Sequence, residues 1–269
     1  MTDDLSGSRR MGQVGDEGGH LSYGSYLRLR ELLDLQLPRS EPAAHDETLF
    51  IVVHQAFELW FRELIFELET IRDLMFADDP HRARHLLKRV HTIERLLIEQ
   101  IEVLETMDPQ DFLEFRSNLE PASGFQSVQF REIEFISGLK QRSFLGMDAI
   151  EEDRSRLGRR FEEPTLWDAF RSLMEGNGLP MPDDDEEARR LSLVKLARDR
   201  DAFAEVWYLA EDLLQMDELF SLWRQRHILM VERMIGTKRG TGGSSGAPYL
   251  RTTLEKRFFP ELWELRSLL

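Results

Sequence analysis

Residues 45–76 read HDETLFIVVHQAFELWFRELIFELETIRDLMF, with apolar side chains at every third or fourth position. The repeating positions are Leu49, Val53, Ala56, Trp60, Leu64, Leu68, Ile71 and Met75. Because an α-helix turns once in 3.6 residues, this spacing places all of them on one face. The stretch therefore predicts one long helix with a stripe that faces a core.

The rest of the chain continues this helical pattern. A second stretch with the same spacing begins after Pro80 and extends to about residue 106, and the short connection predicts that the two helices pack antiparallel. A third long helix is predicted over about 203–235 and a shorter one after Asp108, and a last amphipathic piece lies near 253–268. No alternating run long enough for a sheet occurs in the sequence. We expect an all-α fold, a helical bundle built on long antiparallel helices.

The composition predicts a simple domain organisation. Residues 1–20 are polar and glycine-rich, so we expect a disordered N-terminal arm. A single all-α domain is expected over residues 21–269. Within it, residues 140–200 are rich in charge, and their most acidic run is DDDEE at 183–187. Such runs are usually solvated, so we assign this helical segment no chemistry.

Charge and cysteine content exclude several functional classes. The 269 residues include no cysteine, which excludes disulfides, zinc fingers, cysteine-ligated clusters and thiolate-ligated haem. If the chain binds iron, histidine is therefore the expected ligand. The net charge of −15 argues against nucleic acid as a partner. No apolar run approaches the roughly 18–20 residues that span a bilayer, and no signal peptide is visible, so no membrane and a cytoplasmic location are expected.

His227 lies on the apolar face of the third long helix. Its neighbours on that face are Phe220, Trp223, Met230, Val231 and Met234. A neutral imidazole in an apolar groove is a good iron ligand. A lone histidine on such a face is more often a core residue whose ring nitrogens bond to the backbone, and the spacing alone favours that interpretation.

Two further side chains are candidates for a binding site. His54 is aligned with Phe50, Phe57 and Phe61 on a second face of the first helix. This pattern predicts either a pocket wall for a flat aromatic ligand or a buried structural histidine, and the helix alone favours neither. Arg116 lies close to a predicted loop, where its guanidinium would match a carboxylate. By itself, an ordinary surface arginine is the more common interpretation.

Residues 240–246 read GTGGSSG and follow the third long helix. A phosphate-binding loop would follow a strand, and a Walker loop would end in Gly-Lys-Ser/Thr. Neither feature is present here. Glycine permits positive φ and a compact loop that can order over a ligand, which would bury Thr241 against it.

Four segments, taken together, closely resemble the tryptophan 2,3-dioxygenase family. They are YGSYL at 23–27, FIVVHQAFELW at 50–60, FR at 115–116 with SGFQS at 123–127, and LWRQRHILMVERMIGTKRGTGGSSG at 222–246. The resemblance extends from about residue 21 to the C-terminus and is weakest between about 140 and 200. It implies a haem pocket in the helical bundle. It also implies a haem-dependent dioxygenase that converts L-tryptophan and O₂ to N-formyl-L-kynurenine, the first step of tryptophan catabolism by the kynurenine pathway.

The resemblance assigns roles to the candidate residues. It implies that His227 is the axial ligand of the iron in haem b, with one haem per subunit. His54 matches a catalytic histidine on the distal side of the haem that accepts a hydrogen bond from the substrate indole N–H. Phe50 matches a ring that packs against the indole. Arg116 matches the residue that binds the substrate carboxylate, and Thr241 one that contacts the ammonium and carboxylate end.

Two other segments acquire roles in the same way. Ser123 and Gly124 match a turn on the distal side that contacts substrate and haem. Tyr23, Tyr26 and Leu27 match residues that reach from one subunit into the site of its neighbour, which implies a homotetramer. The alternative is that the segment packs on its own subunit, and the sequence does not separate the two.

The chain departs from the family pattern at Phe112, where many relatives have tyrosine. The phenolic hydroxyl is therefore missing, and we expect affinity or rate to change but not the reaction class. Two alternative functions remain open. One is a related haem oxygenase that inserts one oxygen atom into an indole or phenol ring. The other is a haem-binding sensor or storage protein, against which Arg116 argues because a gas sensor needs no carboxylate-binding group.

Overall fold

The computed structural model describes residues 21–147 and 149–269. The arm predicted over residues 1–20 lies outside the described residues. Contacts divide the chain into two units, one up to Leu37 and one from Pro38 onward, which are described separately. None of the helices over these ranges is long and apolar enough to cross a membrane.

The described part of the smaller unit consists of two short helices, α1 (Tyr23–Leu27) and α2 (Leu29–Leu33). The hydroxyl of Ser22 caps α1 by accepting a hydrogen bond from the backbone N–H of Ser25, at 3.2 Å. Arg28 separates the helices with a positive φ of 51°, which prevents one continuous helix.

The larger unit consists of helices joined by loops. Their bounds are α3 (His45–Phe76), α4 (Pro80–Leu104), α5 (Pro109–Arg116), α6 (Val128–Ile136), α7 (Glu151–Glu162), α8 (Leu166–Gly176), α9 (Glu186–Arg198), α10 (Ala204–Ile235), α11 (Ala247–Arg251) and α12 (Pro260–Leu265). Short 3-10 turns are found at Ser117–Leu119, Gly124–Gln126 and Arg142–Gly146. The described residues contain no strand, so the all-α prediction is confirmed.

The long helices α3 and α4 pack antiparallel, as predicted. Gln100, near the end of α4, donates to the carbonyl of Val53, near the start of α3, at 2.8 Å. At the opposite ends, Arg89 of α4 pairs with Glu67 of α3. The stripe predicted on α3 faces this interface, and Ile71 is completely buried.

The helix α10 runs parallel to α4 on its other side. Arg84 near the start of α4 pairs with Asp212 at 2.8 Å, and Glu105 just after its end pairs with Arg226 at 2.8 Å. The three long helices therefore pack side by side, with α4 between α3 and α10. This arrangement leaves one end of α3 and one end of α10 available to line a common cavity.

The C-terminal segment is attached to α10 by one buried carboxylate. Oδ2 of Asp217 accepts hydrogen bonds from the backbone N–H groups of Phe258 (2.9 Å) and Phe259 (3.1 Å) and from Nε1–H of Trp263 (2.9 Å). Within the amphipathic piece near 253–268, the α-helix extends only over Pro260–Leu265. These two amides bond to a distant side chain instead of to the carbonyls of a preceding helical turn, so α12 begins only after them.

The charged stretch at 140–200 contains α7, α8 and α9. Its acidic run ends at the start of α9, where the carboxylate of Asp185 accepts a hydrogen bond from the backbone N–H of Ala188 at 2.9 Å. Acidic side chains are stabilising at this end of a helix because of the unpaired N–H groups there. The run therefore has a structural role in starting α9.

Candidate active site

A largely apolar cavity of about 300 Å³ lies between α3, α5, α6, α10 and the glycine loop. Predicted site residues from separate parts of the sequence line this one cavity. They are Phe50, His54, Arg116, Ser123, Gly124, His227 and Thr241. The long helices bring these residues together, because α3 and α10 contribute facing walls and the loops after α5 and α10 meet at one end.

His227 presents its ring to this cavity from α10. Burial lowers the pKa of His227 to about 4, and the nearby His54 adds to the shift. The imidazole is therefore neutral at pH 7, so one ring nitrogen carries a free lone pair. The ring lies nearly parallel to Trp223, at an interplanar angle of 10° and a centroid distance of 5.7 Å.

His54 is oriented by its own helix. Its Nδ1 lies 2.7 Å from the carbonyl oxygen of Phe50. Since a carbonyl only accepts hydrogen bonds, Nδ1 carries the proton and Nε2 of the neutral ring is an acceptor. The ring is exposed to the cavity but surrounded by protein, and this desolvation lowers the pKa of His54, while the Phe50 hydrogen bond and the charge of Glu58 act in the opposite direction.

Aromatic rings form most of the cavity wall. The ring of Phe50 lies 4.0 Å from His54, 5.8 Å from Phe112 and 5.7 Å from Phe115, measured between centroids. Around Trp223 a second group of rings packs at 5.4–6.2 Å, and its members are Phe57, Phe61, Phe130 and Phe220. Flat apolar surfaces of this kind fit a planar aromatic ligand or a macrocycle.

The polar end of the cavity is formed where the glycine loop meets the segment after α5. The hydroxyl of Thr241 donates to the carbonyl of Ala122 at 2.6 Å. The guanidinium of Arg116 donates to the carbonyl of Arg239. Arg116 and Thr241, both predicted to bind substrate, thus join the loop to this segment by hydrogen bonds, and their donor groups lie close to the cavity.

Glycine is required at two positions of the loop because a side chain there would collide with neighbouring atoms. A Cβ atom on Gly242 would lie 2.5 Å from Cβ of Ser123, nearer than real side chains approach. Gly246 has a φ of 72°, and a Cβ there would lie 2.5 Å from the carbonyl oxygen of Lys238. These two glycines allow the loop to close on the cavity.

The three predicted residues of the N-terminal segment, Tyr23, Tyr26 and Leu27, lie in the smaller unit, which is described separately from the unit that contains the cavity. Their side chains are exposed in the single chain, by 76%, 70% and 40%.

Sequence reasoning missed two buried cations in the cavity wall. Arg131 and Arg224 line the cavity, although only 5% and 4% of their surfaces are exposed. Helical spacing could have identified both, because residues three or four apart share one face of a helix. Arg224 precedes His227 by three residues, and Arg131 follows Ser127, another residue of the cavity lining, by four.

Comparison with known proteins agrees with this arrangement. The family model described as tryptophan 2,3-dioxygenase matches residues 8–175 and 186–269. A protein of that name from Nocardioides sp. is 52% identical over 261 residues, which cover 94% of this chain and 96% of the relative. Proteins of the same name from Herpetosiphon aurantiacus and Myxococcus xanthus are 45% and 40% identical and cover 92% and 95% of this chain, and 98% and 92% of their own lengths. The chain belongs to the tryptophan 2,3-dioxygenase family.

Proposed function

We propose that this protein is a haem-dependent dioxygenase that converts L-tryptophan and O₂ to N-formyl-L-kynurenine, the first step of tryptophan catabolism by the kynurenine pathway. One observation carries the proposal: the side chains that match the motifs of the family line a single cavity, although they come from separate parts of the chain. The name shared by the relatives agrees with this activity.

The donor set of the cavity fits one haem b per chain. His227 offers a neutral imidazole, and the surrounding rings offer flat apolar contacts. Histidine ligation suits O₂ binding, unlike thiolate ligation, which favours O–O cleavage. When bound, haem supplies the iron centre at which O₂ is activated. We assign His227 as its axial ligand.

The polar end of the cavity suits the amino-acid part of tryptophan. Arg116 and Thr241 both donate to backbone carbonyls, and a carboxylate is a stronger acceptor than a carbonyl. We assign Arg116 to the substrate carboxylate and Thr241 to its carboxylate and ammonium end. Phe112 has no hydroxyl to add to this set, so the hydrogen bond that a tyrosine hydroxyl would make there is either absent or made by water.

His54 and Phe50 suit the indole part of the substrate. Because Nδ1 of His54 is bonded to a carbonyl, Nε2 is left to accept a hydrogen bond from the indole N–H. The lowered pKa of His54, which results from desolvation, keeps that nitrogen unprotonated at pH 7. Phe50 would pack against the indole, and Ser123 and Gly124 would contact substrate and haem on the same side. These residues orient the indole, and orientation can supply a large share of the rate.

We also infer a homotetramer in which Tyr23, Tyr26 and Leu27 of one chain complete the site of a neighbour. The support is their resemblance to the family motif and their exposure in the single chain. Leaving large apolar side chains in water is unfavourable, and burial in a neighbouring site would remove that cost.

The test of the reaction uses the full chain loaded with haem b, reduced, and supplied with L-tryptophan and ¹⁸O₂. We expect a histidine-type haem spectrum and a product that carries two labelled oxygen atoms. One labelled atom would indicate a monooxygenase, and a stable O₂ complex without product would indicate a sensor. The His227→Ala variant should lose haem and activity. The exposed His81→Ala is the matched control, and an active His227→Ala with normal haem content would contradict the assignment.

A further inference from the structure

We propose that Arg131 and Arg224 form a carboxylate-binding end of the cavity that holds the propionate groups of the haem. This inference rests on the proposed function. Both guanidiniums line the cavity, and both side chains are more than nine-tenths buried. Long cationic side chains are rarely so buried unless they are paired with anions.

The anions present in the protein pair these cations incompletely. Both arginines contact one carboxylate, that of Glu134, with Arg224 at 3.1 Å and Arg131 at 2.5 Å. The buried Asp217 adds a second negative charge near Arg224, and Lys256 adds a third positive charge near both arginines. Three cations against two carboxylates leave one excess positive charge beside an apolar wall. An unpaired charge in such surroundings is costly, so a bound anion would stabilise the cluster.

Arg131 is also prepared as a hydrogen-bond donor. Its guanidinium lies 4.8 Å from the ring centroid of Phe130 and 4.1 Å from that of Phe144, and these contacts fix its plane. In the described part of the chain, its buried Nε has no hydrogen-bond partner. A rigid guanidinium with a free donor matches a carboxylate.

A carboxylate in this cavity could come from haem or from the amino-acid substrate. Arg224 precedes His227 by three residues, within one turn of α10. Phe130, next to Arg131, packs on Trp223 at 5.4 Å, and Trp223 packs on His227. Arg224 is thus within one helical turn of His227, and Arg131 is connected to His227 through the rings of Phe130 and Trp223. Arg116, in contrast, bonds to the glycine loop. This placement favours haem as the source.

The test compares haem b with its dimethyl ester, in which both propionates are uncharged. Wild-type protein is loaded with each, and the loss of haem to excess apomyoglobin is timed. We expect the ester to be lost at least about tenfold faster, which corresponds to about 1.4 kcal/mol. In Arg131→Met, which keeps an apolar stem of similar length, haem b should be lost faster and the ratio of the two rates should fall towards one. Arg233→Gln changes an exposed arginine on α10, the helix of Arg224, and should retain the wild-type ratio.

Other outcomes would overturn the inference. Equal loss of haem b and ester from the wild type would do so without any variant, even if Arg131→Met does not fold. An unchanged ratio in folded Arg131→Met, together with a raised KM for tryptophan, would assign the arginine to the substrate carboxylate instead. Wild-type protein that takes up no haem would contradict the proposed function itself, whereas product formation with equal loss rates would contradict only this inference.

Discussion

At the scale of single residues, the two histidines of the cavity are held in different ways. His54 is fixed by a hydrogen bond to a carbonyl on its own helix, which decides the nitrogen that carries the proton. His227 packs parallel to the indole of Trp223. The orientation of His54 therefore depends on local helix geometry, whereas the orientation of His227 depends on packing against Trp223. The free lone pair of His227 depends on its ring remaining neutral.

Acid should destabilise the haem-free protein through His227. Its pKa is about 4 in the folded chain against an ordinary value of 6.5, so the unfolded state binds more protons between these values. The free energy of unfolding should therefore fall as the pH decreases from about 6.5 to about 4, and desolvation of His54 acts in the same direction. Urea unfolding at about pH 7.5 and about pH 5 measures the loss.

The variant His227→Phe isolates this contribution, because the other titrating groups are shared with the wild type. We expect the variant to lose less stability than the wild type over the same pH interval. Equal losses in the two proteins would show that His227 is not the group responsible.

At the scale of elements, α10 is held by side chains distant in sequence from the segments they contact. Asp217 binds the amides after residue 257, and Arg224 donates to the carbonyl of Lys256 at 2.9 Å. Burial and the nearby Asp217 raise the pKa of Glu94 well above its ordinary value, which favours the uncharged form of this α4 carboxyl beside α10. The helix that carries His227 is therefore positioned by the C-terminal segment as well as by α4.

The glycine loop should be sensitive to a single methyl group. In Gly242→Ala the new Cβ would meet Ser123 at 2.5 Å, so the loop must move away and the Thr241–Ala122 hydrogen bond should weaken. Because the loop shapes the polar end of the cavity, where we propose that tryptophan binds, and not the wall that carries His227, we expect KM for tryptophan to rise roughly tenfold or more while haem content is unchanged. Steady-state kinetics and the haem absorbance measure the two effects.

A matched control for this substitution is Gly158→Ala. Gly158 lies in α7, where a Cβ meets nothing within 4 Å, so the same chemical change should leave kinetics as in the wild type. If Gly242→Ala also leaves KM unchanged, the close approach of the loop to Ser123 is not needed for substrate binding.

At the scale of the whole molecule, mixing two inactive variants tests the shared site. One chain carries Tyr26→Ala and the other Arg116→Met. If Tyr26 completes the site of a neighbour, a mixed oligomer contains sites in which both residues are intact, so random mixing should restore about a quarter of the wild-type activity. If both residues serve the same subunit, every site lacks one of them and no activity returns. Sedimentation should give four times the 31.6 kDa mass of the chain, and a monomer would contradict the proposal.

The sequence by itself determined the helices, because their signal is local. The apolar spacing over 45–76 and about 203–235 corresponds closely to α3 and α10, and the short connection after α3 predicted its antiparallel packing on α4. The residue motifs also predicted which side chains line the cavity, since family motifs record a site without stating its geometry. His54 and His227 could be selected in this way.

Only the tertiary structure decided the features that depend on residues far apart in the chain. The last helix begins only at Pro260 because the N–H groups of Phe258 and Phe259 donate to Asp217, about forty residues earlier. Arg131 and Arg224 resemble surface cations in sequence, and they become a candidate carboxylate site because packing buries both beside Glu134. Helical periodicity is local and can be read along the chain, whereas desolvation and charge pairing exist only after distant helices have packed together.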